Sequence, residues 1–98
     1  MSMDDFSLEG ETMVTLVFTG DELRCLRLNK PGKSNLLGGY QRFENWLLRN
    51  TDAQTGMCLL TPERLERMKR YCASYGPGGP NDRIRKACEP ALRRAKLL

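Results

Sequence analysis

An internal echo constrains the fold of this chain more than any other feature. Leu16-Val17-Phe18-Thr19-Gly20-Asp21-Glu22-Leu23 is answered by Cys58-Leu59-Leu60-Thr61-Pro62-Glu63-Arg64-Leu65, and Thr19 to Thr61 is an offset of 42 positions. Gly38-Gly39 is answered by Gly78-Gly79, an offset of 40. One small deletion reconciles the two, so the chain reads as two related units. A small unit that recurs cannot bury its own apolar face and must stack against its copy.

In the first unit, Met13 to Phe18 is an apolar, β-branched run of strand length. Thr19 followed by Glu22 fits a capping box, which predicts a helix from about Gly20 to Leu28. Asn29-Lys30-Pro31-Gly32 ends it, and Gly38-Gly39 opens an amphipathic helix with Tyr40, Phe43, Trp46 and Leu47 on one stripe.

Asp52 to Gly56 reads as a turn, and Met57 to Leu60 as the second strand. Thr61 is the expected N-cap and Pro62 the first helical residue, where its missing N–H is harmless. Leu65, Met68, Cys72 and Tyr75 form the inward stripe, flanked by Tyr71, until Gly76 terminates the helix. After the corner Gly76-Pro77-Gly78-Gly79-Pro80, a last helix from about Asn81 should bury Ile84, Cys88, Ala91 and Ala95. Pro90 predicts a kink or a fresh start within it.

The expected fold is therefore α+β and mostly helical. Two β-α-α repeats surround a two-stranded antiparallel ribbon, with about four helices. Residues 1–98 form a single domain: a flexible tail over 1–10, a first repeat over 11–50 and a second over 51–98 that ends in a basic helix. An isolated two-stranded ribbon is marginal, so the helices must support it.

Gly38-Gly39-Tyr40-Gln41, taken with Arg70-Tyr71-Cys72-Ala73-Ser74-Tyr75-Gly76-Pro77-Gly78-Gly79, resembles a loose group of small bacterial and phage proteins. These pair a G-G-[FY]-Q segment with a later R-Y-x-x-x-Y-G-x-G-G segment, and the likeness covers about 65 residues. Pro80 stands where that group usually has an aromatic residue. The resemblance implies a mobile-element origin and carries no chemistry.

Composition narrows the function classes. The chain has no histidine, so the commonest general base near neutral pH is missing, and no nucleophile elbow, phosphate loop or metalloprotease motif occurs. Asp4-Asp5 and Asp21-Glu22 are neighbouring carboxylates that suit a tail and a helix N-terminus. The two Gly-Gly pairs precede helices but lack the lysine and serine of a phosphate cradle, so sharp turning and close helix approach explain them better. The expected reading is non-enzymatic, with no catalytic residues, cofactor or metal. Cys25, Cys58, Cys72 and Cys88 show no CxxC spacing and lie in apolar or helical stretches, which suits reduced core thiols. No apolar run approaches the ~20 residues that span a bilayer, and the N-terminus has no secretion signal, so a cytoplasmic protein without membrane association is expected.

Charge then points to a surface. Residues 1–61 carry six basic and eight acidic side chains, whereas residues 62–98 carry ten basic and four acidic. In the third helix Glu63 precedes Arg67, and Glu66 precedes Arg70, by four residues, so these charges are expected to pair internally. The C-terminal helix has Arg83, Arg85, Lys86, Arg93, Arg94 and Lys96 against only Asp82 and Glu89. Those six cations are the expected partner-binding residues. The expected function is a phage or mobile-element protein that binds and masks a host protein with an acidic surface, as an inhibitor of a bacterial immune system such as an anti-CRISPR does. The alternative is sequence-tolerant DNA or RNA binding through the same helix. Open ribbon edges would also allow a homodimer.

Overall fold

A computed structural model describes residues 12–32, 36–73 and 79–98. The order is β1 (Val14–Val17), α1 (Gly20–Arg24), α2 (Gly39–Asn50), β2 (Met57–Leu60), α3 (Pro62–Ala73) and α4 (Gly79–Arg94). Over the described residues the fold is α+β with four helices and a two-stranded antiparallel sheet, as expected. The tail over 1–10, the Tyr75 position, the Gly76 terminator and the glycine corner up to Gly78 lie outside the described residues.

Strand periodicity sets the ribbon's two faces. Leu16, Cys58 and Leu60 point inward and are essentially inaccessible, while Thr15, Val17, Met57 and Leu59 point outward. The register pairs Val14 with Leu60, Thr15 with Leu59, Leu16 with Cys58 and Val17 with Met57. Leu16 and Cys58, equivalent under the 42-position offset, thus face each other across the ribbon. The sequence echo proposes a common unit; the helices that follow each strand differ, α1 having 5 residues and α3 having 12.

The caps act where local chemistry places them. Thr19 Oγ1 accepts from the Glu22 N–H at 3.1 Å, and Glu22 Oε1 accepts in return from the Thr19 N–H at 2.9 Å. Thr61 Oγ1 accepts from the Arg64 N–H at 3.1 Å. Gly56 makes the turn into β2 at φ +77°, and a Cβ there would lie 2.0 Å from the Phe18 carbonyl oxygen. The Phe18 N–H donates back to the Gly56 carbonyl at 2.8 Å, so the close approach is part of the ribbon's end.

Helix α1 stops at Arg24, four residues short of the expected Leu28. The reason lies in α2. Glu44 Oε2 accepts from the Arg27 N–H at 2.8 Å, and Asn45 Oδ1 accepts from the Asn29 N–H at 2.7 Å. Those two buried side chains take the backbone donors that a longer α1 would have used.

Helix α4 is the centre of the molecule. Ile84, Ala87, Cys88, Ala91 and Leu92 are buried, and the helix packs against α1, α2, α3 and β1. Phe43 and Leu47 from α2, Met68 and Cys72 from α3, and Leu16, Phe18 and Leu60 from the ribbon segments complete the core. Burial of each large aliphatic side chain contributes about 1.5–3 kcal/mol, which is what a ribbon this short needs. All four cysteines are free thiols, and Cys58, Cys72 and Cys88 are buried.

Helix α4 runs as one element through Pro90, with no fresh start there. One expectation for α4 is corrected. Ala95 is exposed because the helix has already ended. The Leu97 N–H donates to the Leu92 carbonyl at 2.8 Å and the Lys96 N–H to the Arg93 carbonyl at 3.0 Å, with Lys96 at φ 61°. This is a Schellman ending in which a lysine holds the left-handed position that glycine usually takes.

Candidate functional site

The six cations expected to contact a partner divide into distinct groups. Arg83 Nε donates to Glu44 Oε2 at 2.7 Å and its Nη2 to Glu44 Oε1 at 2.9 Å, with a further bond to Asn29 Oδ1 at 3.1 Å. Arg94 Nη1 and Nη2 donate to the two oxygens of Glu22 at 2.7 and 2.8 Å, and Nη2 also reaches the Val17 carbonyl at 2.9 Å. Residues 83 and 94 are three helical turns apart and emerge on nearly the same side of α4. There each meets a buried carboxylate of another helix, so both hold the fold together.

Among the described residues the other four make no ion pair outside α4. Arg85 and Lys86 share Asp82 at 2.7 and 3.1 Å, and Arg93 pairs with Glu89 at 3.0 Å. Lys96 occupies the helix ending described above, with its side chain exposed. Five of the six therefore have a carboxylate within the chain.

The acidic partners carry the electrostatic imprint of these pairs. The Arg94 hydrogen bonds hold the Glu22 carboxyl below its ordinary value, against a smaller upward push from burial. Burial pushes the Glu44 carboxyl up most strongly, yet the bonds from Arg83, Asn29 and the Arg27 N–H together hold it below the ordinary value. Lys86 does the same for Asp82, chiefly by its hydrogen bond.

Cations without carboxylates gather elsewhere. Arg42 from α2 and Arg64 and Arg67 from α3 line a cleft of about 210 Å³ together with Gly39, Phe43, Trp46 and Tyr71. None of the three arginines makes an ion pair with a described residue; the Glu63–Arg67 pair expected from sequence does not form. The Arg64 guanidinium instead lies 4.2 Å above the Trp46 ring. Phe43 meets Tyr71 edge-on at 5.1 Å and Trp46 in a stacked arrangement at 6.1 Å, which fixes the cleft's aromatic floor. Arg42 Nη1 donates to the Leu37 carbonyl at 2.7 Å, a neutral acceptor that leaves its charge unbalanced.

Sequence reasoning passed over these arginines because α3 looked self-neutralising. A signal was nevertheless present: Arg64, Arg67 and Tyr71 recur at three- and four-residue spacing on α3, and Arg42 and Trp46 at four on α2. Read as stripes, they would have met at the α2–α3 boundary.

A second surface adjoins the cleft. Met13, Val17, Met57 and Leu59 are 46–53% exposed, and all lie on the outer side of the ribbon. A larger concavity of about 580 Å³ is lined by Met13, Met57 and Leu59, by the turn residues Asp52 and Thr55, and again by Trp46 and Arg64. Both ribbon edges are partly covered. The Asp52 N–H takes the Met57 carbonyl at 2.9 Å, Thr51 bridges to Cys58, and Arg94 takes the Val17 carbonyl.

Among the described residues no group of three or more Cys, His, Asp or Glu side chains converges on a metal position, and no helix is long and apolar enough to cross a membrane. No family model matches the chain, and neither curated proteins nor solved structures yield a match.

Proposed function

We propose that this protein is a non-enzymatic module that binds and masks an acidic surface of another protein, with Arg42, Arg64 and Arg67 as its principal contacts. One observation carries the reading: three arginines line one aromatic cleft, and none makes an ion pair with a described carboxylate. Like charges at helical spacing cost a few tenths of a kcal/mol each, so stability does not ask for this arrangement. Arginine and tryptophan are also the side chains that dominate protein-binding energetics when desolvated. In the mobile-element setting that the sequence resembles, the masked protein would belong to a bacterial immune system. The cations of α4 that pair only within that helix or not at all, Arg85, Lys86, Arg93 and Lys96, then serve as an outer ring that speeds encounter.

The test is a pull-down from nuclease-treated bacterial lysate with three baits: wild type, Arg64→Glu with Arg67→Glu, and Arg85→Ala with Lys86→Ala and Arg93→Ala. A protein captured by the wild type and the α4 variant, and lost with the charge reversal, supports the reading. Equal capture by the reversed variant, or no protein captured by the wild type, overturns it.

Nucleic acid is the second reading, favoured by Trp46 and Tyr71 flanking the same arginines, since single strands use such stacking platforms. A gel shift with single-stranded DNA and RNA at low salt decides it: no retardation eliminates this alternative.

A further inference from the structure

The cleft and the ribbon-face concavity adjoin. Trp46 and Arg64, stacked on each other, line both, so the cationic half borders the apolar half. We propose that these two adjoining concavities together seat a protein segment whose apolar side chains cover Met13, Met57 and Leu59 while adjacent carboxylates enter between Arg64 and Arg67. The inference rests on the acidic-partner reading above and adds the chemistry of what is bound.

Charge complementarity selects the acidic end. Arg64 and Arg67 make no ion pair with a described carboxylate, and Phe43, Trp46 and Tyr71 line the cleft beside them. Exposure selects the apolar end. Leu59 and Met57 are 53% and 46% exposed on adjacent outward positions of β2, where a solvated ribbon face ordinarily carries polar residues. Asp52, the carboxylate among the described residues lining this half, is turned to its own loop, its Oδ1 accepting from the Gln54 and Thr55 N–H groups at 2.8 and 3.1 Å. Nucleic acid would satisfy the arginines and leave the methionines and the leucine in water. A protein segment with both chemistries satisfies both concavities. Because the Met57 and Val17 carbonyls already have donors, the segment lies on the ribbon's face and does not extend its edge.

The experiment is selection of short peptides from a random displayed library on the intact protein, followed by titration of the enriched peptides against three forms. Trp46 is the only tryptophan and stands at the junction of the two halves, so its fluorescence reports either contact. The forms are wild type, Met57→Ser with Leu59→Ser, and Arg64→Glu with Arg67→Glu, each checked by thermal unfolding. The expected result is enrichment of Asp or Glu beside Leu, Ile or Phe, with affinity falling about tenfold or more in both variants. Loss in the arginine variant alone overturns this inference and leaves the acidic-partner reading standing. Enrichment without acidic residues, loss in neither variant, or no enrichment at all overturns both.

Discussion

Arg83 on α4 and Glu44 on α2 stand 39 residues apart in sequence and meet through two parallel hydrogen bonds of 2.7 and 2.9 Å. The carboxylate is inaccessible and the guanidinium largely covered, with side-chain exposures of 0% and 21%. Such a pair is not a large source of stability by itself, because burying both charges offsets most of their attraction. Removing one partner is different. Arg83→Ala strands a buried carboxylate and should lower unfolding stability by about 3 kcal/mol. Arg85→Ala, which breaks only a partly covered pair within α4 and leaves Asp82 its bond from Lys86, should cost less, about 1 kcal/mol. Urea titrations of the two variants give the comparison directly.

Acid should expose the same pairs. Glu22 and Glu44 both titrate below their ordinary 4.5 in the folded chain, so folding favours their charged forms. Their stabilising contribution is present above pH 4.5 and is lost as pH falls through the folded values. Stability measured in urea should therefore decline from about pH 5 downward. Glu44→Gln should flatten that decline while lowering stability at neutral pH.

Gly56 cannot accept a side chain. At φ +77° the backbone is already unfavourable for an L-residue, and a methyl group would meet the Phe18 carbonyl oxygen at 2.0 Å. Gly56→Ala should destabilise by at least about 2 kcal/mol and lower the melting temperature measured by circular dichroism.

The opposite substitution should help at the end of α4. Lys96 holds a left-handed conformation, φ 61°, while its side chain is exposed. Lys96→Gly removes that strain and should stabilise by about 0.5–1 kcal/mol, the gain being reduced by the freer unfolded chain. A melting temperature that falls would show that the lysine side chain contributes more than its backbone loses.

Thiol accessibility checks the core independently. Cys25 is half-buried, whereas Cys58, Cys72 and Cys88 are covered. Burial pushes the Cys58 thiol up, and Cys88 is pushed up most of all, first by its hydrogen bond with Cys72 and then by burial. One thiol should react promptly with an aromatic disulfide reagent at neutral pH. The other three should react at the rate of unfolding.

What could be read from sequence was what is decided within a few residues. Thr19 and Thr61 as N-caps, Pro62 as a first helical residue and the two short strands all follow from neighbours along the chain. The antiparallel pairing followed from two similar strands that had to shelter each other. Errors arose wherever a distant side chain intervened. α1 is cut short by Glu44 and Asn45, which lie seventeen and sixteen residues from the N–H groups they capture. Arg83 and Arg94 looked outward because the carboxylates they meet belong to other helices. The arginine cleft escaped notice because Glu63 is four residues from Arg67, a spacing that permits an ion pair without compelling one.

Since α4 is the element against which α1, α2, α3 and β1 all rest, it is also the last of the six to leave the ribosome. Until then the nascent polypeptide has two strands and three helices with nothing at their common centre, and their oily sides stay open to chaperones and proteases. Within this fold α4 is therefore the keystone that the five earlier elements wait for.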